Sequence, residues 1–390
     1  MKTVKAAVVG CGQISSTYIP NLKNLFSIID LVAVCDLFPE SAQRRAEEFG
    51  IEKVMTLEEI EQSEEIEMVI NLTGPDTHYE LTKRFLLAGK HVFSEKTIAS
   101  TIEEGKELVA LAEEKGLYLG VAPDTILGAG IQTARKAIDA GLIGTPTSCF
   151  VAISRNQSLN SEMFRFIQKS LSGAFPYDYG VYYIASILAL LGPVQSVTGV
   201  VKEGPVHKKN LTHLDNPDQW QLPGYQLLSG TLQFQSGVIG AVLLDGTSIN
   251  YEHPMFTIYG TEGILKVGNP DNFDSNVTLI RAESEPLVLP FTHGFNGRPL
   301  PDSVVVGSRG FRGVGAAEMA WAIREGREAR CCGKFGLQTL EVLQGMERSA
   351  LNGKPWKIDT NFSMKPLKAG YYDTTFGGAL RAGAEGSLRD

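Results

Sequence analysis

The first residues able to do chemistry form one run, Gly10-Cys11-Gly12-Gln13-Ile14-Ser15, set between an apolar stretch and a helical one. The run matches G-x-G-x-x-G/A except that Ser15 holds the last small position. Its first glycine permits a tight turn, and its second lets backbone N–H groups approach a pyrophosphate at a helix N-terminus. Gly10, Gly12, Gln13 and Ile14 are therefore candidate cofactor-binding residues. The plainer alternative is a glycine turn without a ligand. Asp36 lies 24 residues after Gly12. A carboxylate there can accept hydrogen bonds from adenosine ribose hydroxyls and would repel a 2′-phosphate, which favours NAD over NADP; its alternative is a helix cap. Lys96 follows a short apolar run, at the kind of strand end where doubly wound folds place ligands.

These residues need particular elements around them. Val4 to Val9, Asp30 to Cys35, Met68 to Leu72, His91 to Ser94 and Leu117 to Val121 read as short buried strands. Helical stretches separate them: Ile14 to about Phe26, Pro39 to Gly50, Thr77 to Ala88, and one opened by a capping box at Ser100 to Glu103. Strand–helix alternation means a parallel sheet covered on both faces. After about Pro123 the pattern changes. A helix from Gly130 to Ala140 precedes longer alternating strands: Ser148 to Ser154, Val194 to Lys202, Leu227 to Gln235, Val238 to Asp245, Met255 to Gly260 and Gly263 to Val267. A Ser-Gly turn makes a hairpin of the third and fourth. Helices over Ala316 to Glu325 and Leu337 to Asn352 are expected to cover one face of this second sheet. The fold class is α/β: a Rossmann doubly wound parallel sheet in residues 1–123, then an α+β domain with an open, mainly antiparallel sheet in residues 124–390. Lys202 to Tyr225 reads as a long loop.

Composition narrows the class. The 390 residues are 43% hydrophobic and 21% charged, as in globular proteins, and the net charge is −8, which argues against nucleic acid or anionic membrane as partners. Five cysteines fit neither a zinc spacing nor a disulfide framework and suit a reducing cytoplasm. No apolar stretch is long enough to span a bilayer, and the N-terminus reads as a strand and not a signal peptide. His207, His213, His253 and His293 are not spaced as metal ligands, so no metal is expected.

Ser94-Glu95-Lys96-Thr97, together with the glycine loop and Asp36, resembles the glucose–fructose oxidoreductase / inositol dehydrogenase (Gfo/Idh/MocA) family. The usual motif there is E-K-P, whose proline is often linked with a cis peptide; Thr97 stands in its place. A second family signature is D-x-G-x-H after a glycine-rich turn. Here Asp178 and Gly180 match, and Tyr182 takes the histidine position, which is similar to the family's tyrosine-type branch. Thr73 to His78 resembles the family's cofactor loop, and Ile258 to Val267 and Arg312 to Ile323 match later segments. The resemblance implies an NAD(P)-dependent oxidoreductase, with Lys96, Tyr182 and Asp178 catalytic. It also implies that Thr73, Pro75, His78, Glu95 and Lys96 contact cofactor, and that Arg155 and Asn156 join Lys96, Asp178 and Tyr182 at the substrate; Asp124, just after the fifth strand, could touch ribose or substrate.

Hydride transfer from an alcohol carbon needs a group to take the hydroxyl proton. Lys96, partly desolvated beside oxidised nicotinamide, is expected to have a lowered pKa; Tyr182 is expected to be lowered by a neighbouring ammonium. Against this, Tyr182 sits in an apolar run and could be a core aromatic, and Asp178 could cap a helix. Tyr177, Trp220, Phe291 and Phe295 could stack on a sugar ring or fill the core. The leading function is hydride transfer to or from a sugar, polyol or glycoside. The rivals are an NAD-recycling glycosidase and a non-catalytic NAD-binding regulator. The open sheet predicts a homodimer or homotetramer.

Overall fold

The structure, a computed structural model, describes residues 2–155, 173–204, 223–248, 255–295 and 310–368. The first sheet holds β1 (Val4–Val9), β2 (Ile29–Cys35), β3 (Lys53–Val54), β4 (Met68–Asn71), β5 (His91–Ser94) and β6 (Leu119–Val121). Its order is β3-β2-β1-β4-β5-β6, with all pairs parallel. Every residue of β4 is buried, as a strand covered on both faces requires. The helices between are α1 (Ser15–Asn24), α2 (Pro39–Phe49), α3 (Leu57–Gln62), α4 (His78–Leu87) and α5 (Ile102–Glu114). Pro39 fixes the first turn of α2, and Gly50 ends it with φ 62°. The short β3 and α3 go beyond the expected elements.

The capping box of α5 sits one residue later than expected. Thr101 is extended, its side chain accepts from the Glu104 amide, and Glu104 returns a bond to the Thr101 amide. The buried positions Ile102, Gly105, Leu108 and Ala112 set the helical phase, and that phase puts the cap at Thr101 and not Ser100.

After α6 (Ala129–Asp139) come β7 (Pro146–Ser154), α7 (Val181–Leu191), β8 (Val194–Glu203), β9 (Tyr225–Phe234), β10 (Ile239–Asp245), β11 (Met255–Gly260), β12 (Ile264–Val267), β13 (Val277–Ile280) and β14 (Leu287–Val288). Helices α8 (Val314–Glu325) and α9 (Gly333–Asn352) and the short β15 (Trp356–Lys357) close the described chain. The second sheet runs β14-β13-β12-β11-β7-β10-β9-β8-β15. It is antiparallel except where β7 meets β10. The expected hairpin is β9–β10. Most of the Lys202 to Tyr225 loop lies outside the described residues.

The two late helices do not share one sheet face. Helix α9 packs on β8 and α7 and also against α5, so it ties the two sheets together. Helix α8 packs on β5 and β6 of the first sheet. Gly315 allows this approach, since a Cβ there would stand 2.7 Å from the Phe93 ring. The chain then runs beside edge strand β6: the Val121 amide donates to the Cys331 carbonyl, and Gly120 bridges Cys332. The vicinal cysteines thus close a sheet edge. Thr101→Ala should cost about 1 kcal/mol of unfolding free energy, read as a lower urea midpoint with an unchanged slope.

Candidate active site

Strand order reverses between β1 and β4, because the chain moves from β1 to β2 on one side and crosses to β4 on the other. Loops after these strands diverge and leave a crevice at their carboxyl ends. The loop after β1 carries Gly10 and Gly12. Gly10 has φ +99°, and a Cβ there would lie 2.7 Å from the Leu72 carbonyl carbon, so only glycine fits. Gly12 faces open space. Gln13 is exposed and Ile14 half-buried, just ahead of α1. Asp36 accepts from the Cys11 amide at 2.6 Å and the Phe38 amide at 2.9 Å, which holds the carboxylate at the mouth of the glycine loop. The loop after β4 is set by Asn71, whose Oδ1 takes the Thr73 hydroxyl at 2.7 Å; Pro75 then opens a short turn into α4. An open glycine loop with a carboxylate beside it fits a dinucleotide. Cys11 and Cys35, beside this loop, are pushed up to about 12 and about 11 by burial, so neither is a nucleophile there.

Lys96 leaves the carboxyl end of β5, and the Lys96–Thr97 peptide is cis with threonine in the proline position. Opposite stands Pro176–Gly180, a single π turn leading into α7. Such turns aim side chains that a regular helix would direct elsewhere. Lys96 Nζ donates to Asp178 Oδ1 and to the Asp178 carbonyl, each at 2.8 Å. Nζ also lies 5.6 Å from the centre of the Tyr182 ring. The Lys96 and Asp178 side chains are 15% and 17% exposed, so the pair is sheltered yet open to the crevice.

The protonation states differ from expectation. Burial works to lower the Lys96 pKa, but the charges of Asp178, Tyr182 and Glu95 outweigh it, and the pKa lies above the ordinary lysine value. Lys96 is an ammonium here. Burial pushes the Tyr182 phenol above its ordinary value; Arg312 and Lys96 pull it down without cancelling that effect.

A second layer supports these groups. Tyr18 donates to Glu95 Oε1 at 2.6 Å, and Glu95 Oε2 accepts from the Lys96 amide at 3.2 Å. His78 is fully buried between the Thr97 carbonyl (2.7 Å) and the Thr73 carbonyl (3.0 Å), joining the loop after β4 to the residue after Lys96. Burial lowers its pKa. Asp124 is also fully buried. Its Oδ2 takes the Gly313 and Gly315 amides at 2.7 and 3.2 Å, and its Oδ1 faces Arg312. Arg155, at the end of β7, lies 4.9 Å from the Tyr179 ring centre. Asn156 lies outside the described residues, as do Trp220, His207, His213 and His253. Tyr177 and Phe295 are core side chains. His293 contacts the Thr292 hydroxyl and the Leu367 carbonyl.

Arg312, Asp271, Tyr18, Tyr179 and Asn269 complete the surroundings of Lys96 and Tyr182 without having been singled out in the sequence. Asn269 donates to the Tyr179 hydroxyl at 3.1 Å. Asp271 and Asn269 follow β12 in an irregular stretch with no motif. Arg312 opens the late run that resembles a family helix, so its presence was legible but its direction was not.

A Rossmann sheet with an open glycine loop, whose Lys96 meets Asp178 and Tyr182 from the π turn and the helix after it, defines a nicotinamide-dependent oxidoreductase. A model described as the oxidoreductase family, NAD-binding Rossmann fold, matches residues 4–122, and one for the GFO/IDH/MocA C-terminal domain matches residues 131–266. The chain belongs to the Gfo/Idh/MocA family of oxidoreductases. It is 27% identical to a scyllo-inositol 2-dehydrogenase (NADP(+)) of Bacillus subtilis, over 73% of each chain. It is 28% identical to a scyllo-inositol 2-dehydrogenase (NAD(+)) of the same organism, over 72% of this chain and 78% of that one. Levoglucosan dehydrogenase, solved with NADH and L-sorbose, shares the fold with a TM-score of 0.77 at 20% identity, over 92% of this chain and 99% of that one.

Tyr177, next to Asp178, donates to the Glu347 carboxyl on α9. Burial raises Glu347 to about 7. Between the ordinary glutamate value and about 7, the folded protein holds a proton there that the unfolded chain has lost. Stability therefore falls as pH rises through that window. Glu347→Gln should escape the loss, so its urea midpoint should gain on the wild type between about pH 5 and about pH 8.

Proposed function

We propose that the protein transfers a hydride between NAD and a hydroxyl-bearing carbon of a sugar, polyol or glycoside. The observation that carries the reading is the convergence of Lys96, Asp178 and Tyr182 at the carboxyl edge of the first sheet, beside the glycine loop. In this reading residues 1–123 hold the cofactor and residues 124–390 present the substrate. Gly10, Gly12, Gln13, Ile14, Thr73 and Pro75 border the dinucleotide, and Asp36 receives ribose hydroxyls. When bound, the nicotinamide supplies the hydride acceptor or donor.

The chain's own groups handle orientation and the proton. Lys96 directs hydrogen bonds at Asp178 through its ammonium, which has three protons, and a remaining one can hold the substrate oxygen. A lysine kept charged is a poor proton acceptor, so proton movement is assigned to Tyr182, whose phenol, held protonated by burial, donates in reduction and accepts through its ionised fraction in oxidation. Asp178 orients Lys96, and Arg155 borders the substrate. NAD is favoured over NADP by Asp36 and by Arg45. The Arg45 guanidinium is already engaged with the Gly12 carbonyl, the Ser15 hydroxyl and Glu48, so it is not set to receive a 2′-phosphate.

The same reading includes a homo-oligomer. Met255, Ala152, Leu243, Ser229 and Val200 form a row across five strands of the second sheet, through their register partners. Val200 is 64% exposed and Met255 50%. An apolar row of this kind on an open sheet is suited to a second copy of itself.

Purified protein offered NAD⁺ with a panel of sugars, polyols and glycosides should generate NADH with at least one of them, and faster than it generates NADPH from NADP⁺. A glycoside cleaved with no net NADH would replace this reading with cofactor recycling. Lys96→Ala should abolish turnover, at least about a hundredfold, and leave calorimetric NAD⁺ affinity nearly unchanged. Light scattering should give a dimer or tetramer, and Leu243→Glu should reduce it to a monomer; a wild-type monomer rules out the assembly.

A further inference from the structure

Arg312 is 2% exposed and lies just ahead of α8. Its Nη1 faces Asp124 Oδ1 at 3.5 Å, and its Nη2 forms an ion pair with Asp271. The same Nη2 lies 3.3 Å from the Tyr182 hydroxyl, and the guanidinium carbon stands 5.0 Å from the centre of the Tyr182 ring. Its Nε is buried with no hydrogen-bond partner among the described residues. A buried ion cluster with a donor left over is a poor source of stability, since desolvation can exceed the Coulombic gain. The arrangement is better explained by what Arg312 does to the phenol.

A guanidinium has only donors. The Tyr182 oxygen must therefore accept from Arg312, which leaves the phenol's own proton directed elsewhere. We propose that Arg312 is the positioning residue for proton transfer: it holds the Tyr182 oxygen, turns its proton away from the buried side, and meets the negative charge when that proton leaves. In oxidation, the ionised fraction of Tyr182 would take the substrate's hydroxyl proton and become phenol, with bound nicotinamide supplying the hydride acceptor. In reduction, the phenol returns that proton to the oxygen as carbon receives the hydride. Arg312 is never deprotonated in this cycle. Asp271 and Asp124 balance its charge, and so set how much of it Tyr182 receives. The inference rests on the dehydrogenase reading above.

The charged groups facing Tyr182 come from several elements. Arg312 precedes α8, Glu95 and Lys96 follow β5, Asp271 follows β12, and Asp178 lies on the π turn just before α7, the helix that carries Tyr182. This arrangement predicts opposite shifts for two substitutions. Arg312→Lys keeps a charge but loses the fork that reaches both Asp271 and Tyr182. In the pH profile of kcat/KM for oxidation, its acidic limb should move up by about one unit, with activity at neutral pH down roughly tenfold and recovering at high pH. Asp271→Asn removes a carboxylate that faces both Arg312 and Tyr182, and should move the same limb down. NAD⁺ affinity should hold in both.

A merely structural role predicts losses that are equal at all pH values. Unshifted profiles, or shifts of the same sign, overturn the proposal. If Arg312→Lys does not fold, the direction given by Asp271→Asn decides alone. Tyrosinate difference absorbance of NAD⁺-bound protein, wild type and Asp271→Asn each referenced to a Tyr182→Phe counterpart, needs no substrate. An unchanged phenol ionisation there overturns the role of Arg312 even if no alcohol is oxidised. A panel without turnover but with a lowered phenol pKa in Asp271→Asn rejects only the dehydrogenase reading.

Discussion

The bond from Lys96 to Asp178 joins residues 82 positions apart and spans the two sheets. Much else in the molecule serves that contact. Strand β5 must end at Ser94 for Lys96 to enter the crevice, and the π turn must bring both the carboxylate and the carbonyl of Asp178 toward it. Helix α9 braces the approach, touching α5 on one side and β8 and α7 on the other. Two sheltered charges are costly to hold apart from water, and removing one partner of such a pair leaves the other unpaired. The position of one sheet against the other is thus tied to the electrostatics of the site.

The charges around Tyr182 are arranged in alternation. Cationic Lys96 and Arg312 approach the ring from different elements, and Asp178, Asp271 and Asp124 stand behind them. The phenol meets positive charge on two sides, while the carboxylates are engaged with the cations. In a buried setting such a layout keeps its orientation without help from solvent, which is the condition for electrostatic preorganisation.

The first sheet was legible because each of its signals is local. Buried apolar strands, a Pro39 start, a Gly50 stop and the glycine loop lie within short windows, and all appear in place. Thr56 to Glu59 carries the same kind of local signal and caps α3, though the helix is too short for periodicity to reveal it. Lys96, Asp178 and Tyr182 were legible as a pattern, but their protonation was not. The Lys96 pKa depends on a carboxylate 82 residues away, and burial outweighs nearby cations at Tyr182. Arg312 shows the same limit. Nothing beside it in the sequence points to Tyr182, Asp124 or Asp271, because only the return of the chain to the first sheet brings them together. The placement of α8 on that sheet was hidden for the same reason: its apolar residues suit either sheet equally well.

That return also orders events during synthesis. Strands β1 to β6 are complete at Val121, yet the helix that covers β5 and β6 begins at Val314, roughly half the chain later. As the protein leaves the ribosome, part of the first sheet waits with apolar side chains such as Phe93 lacking their final cover, and edge strand β6 waits for Cys331. The dinucleotide half is first in the chain but cannot be finished first. A fragment cut after Val121 would keep the glycine loop and Asp36 but lack α8 over that face. The crevice is a property of the whole chain.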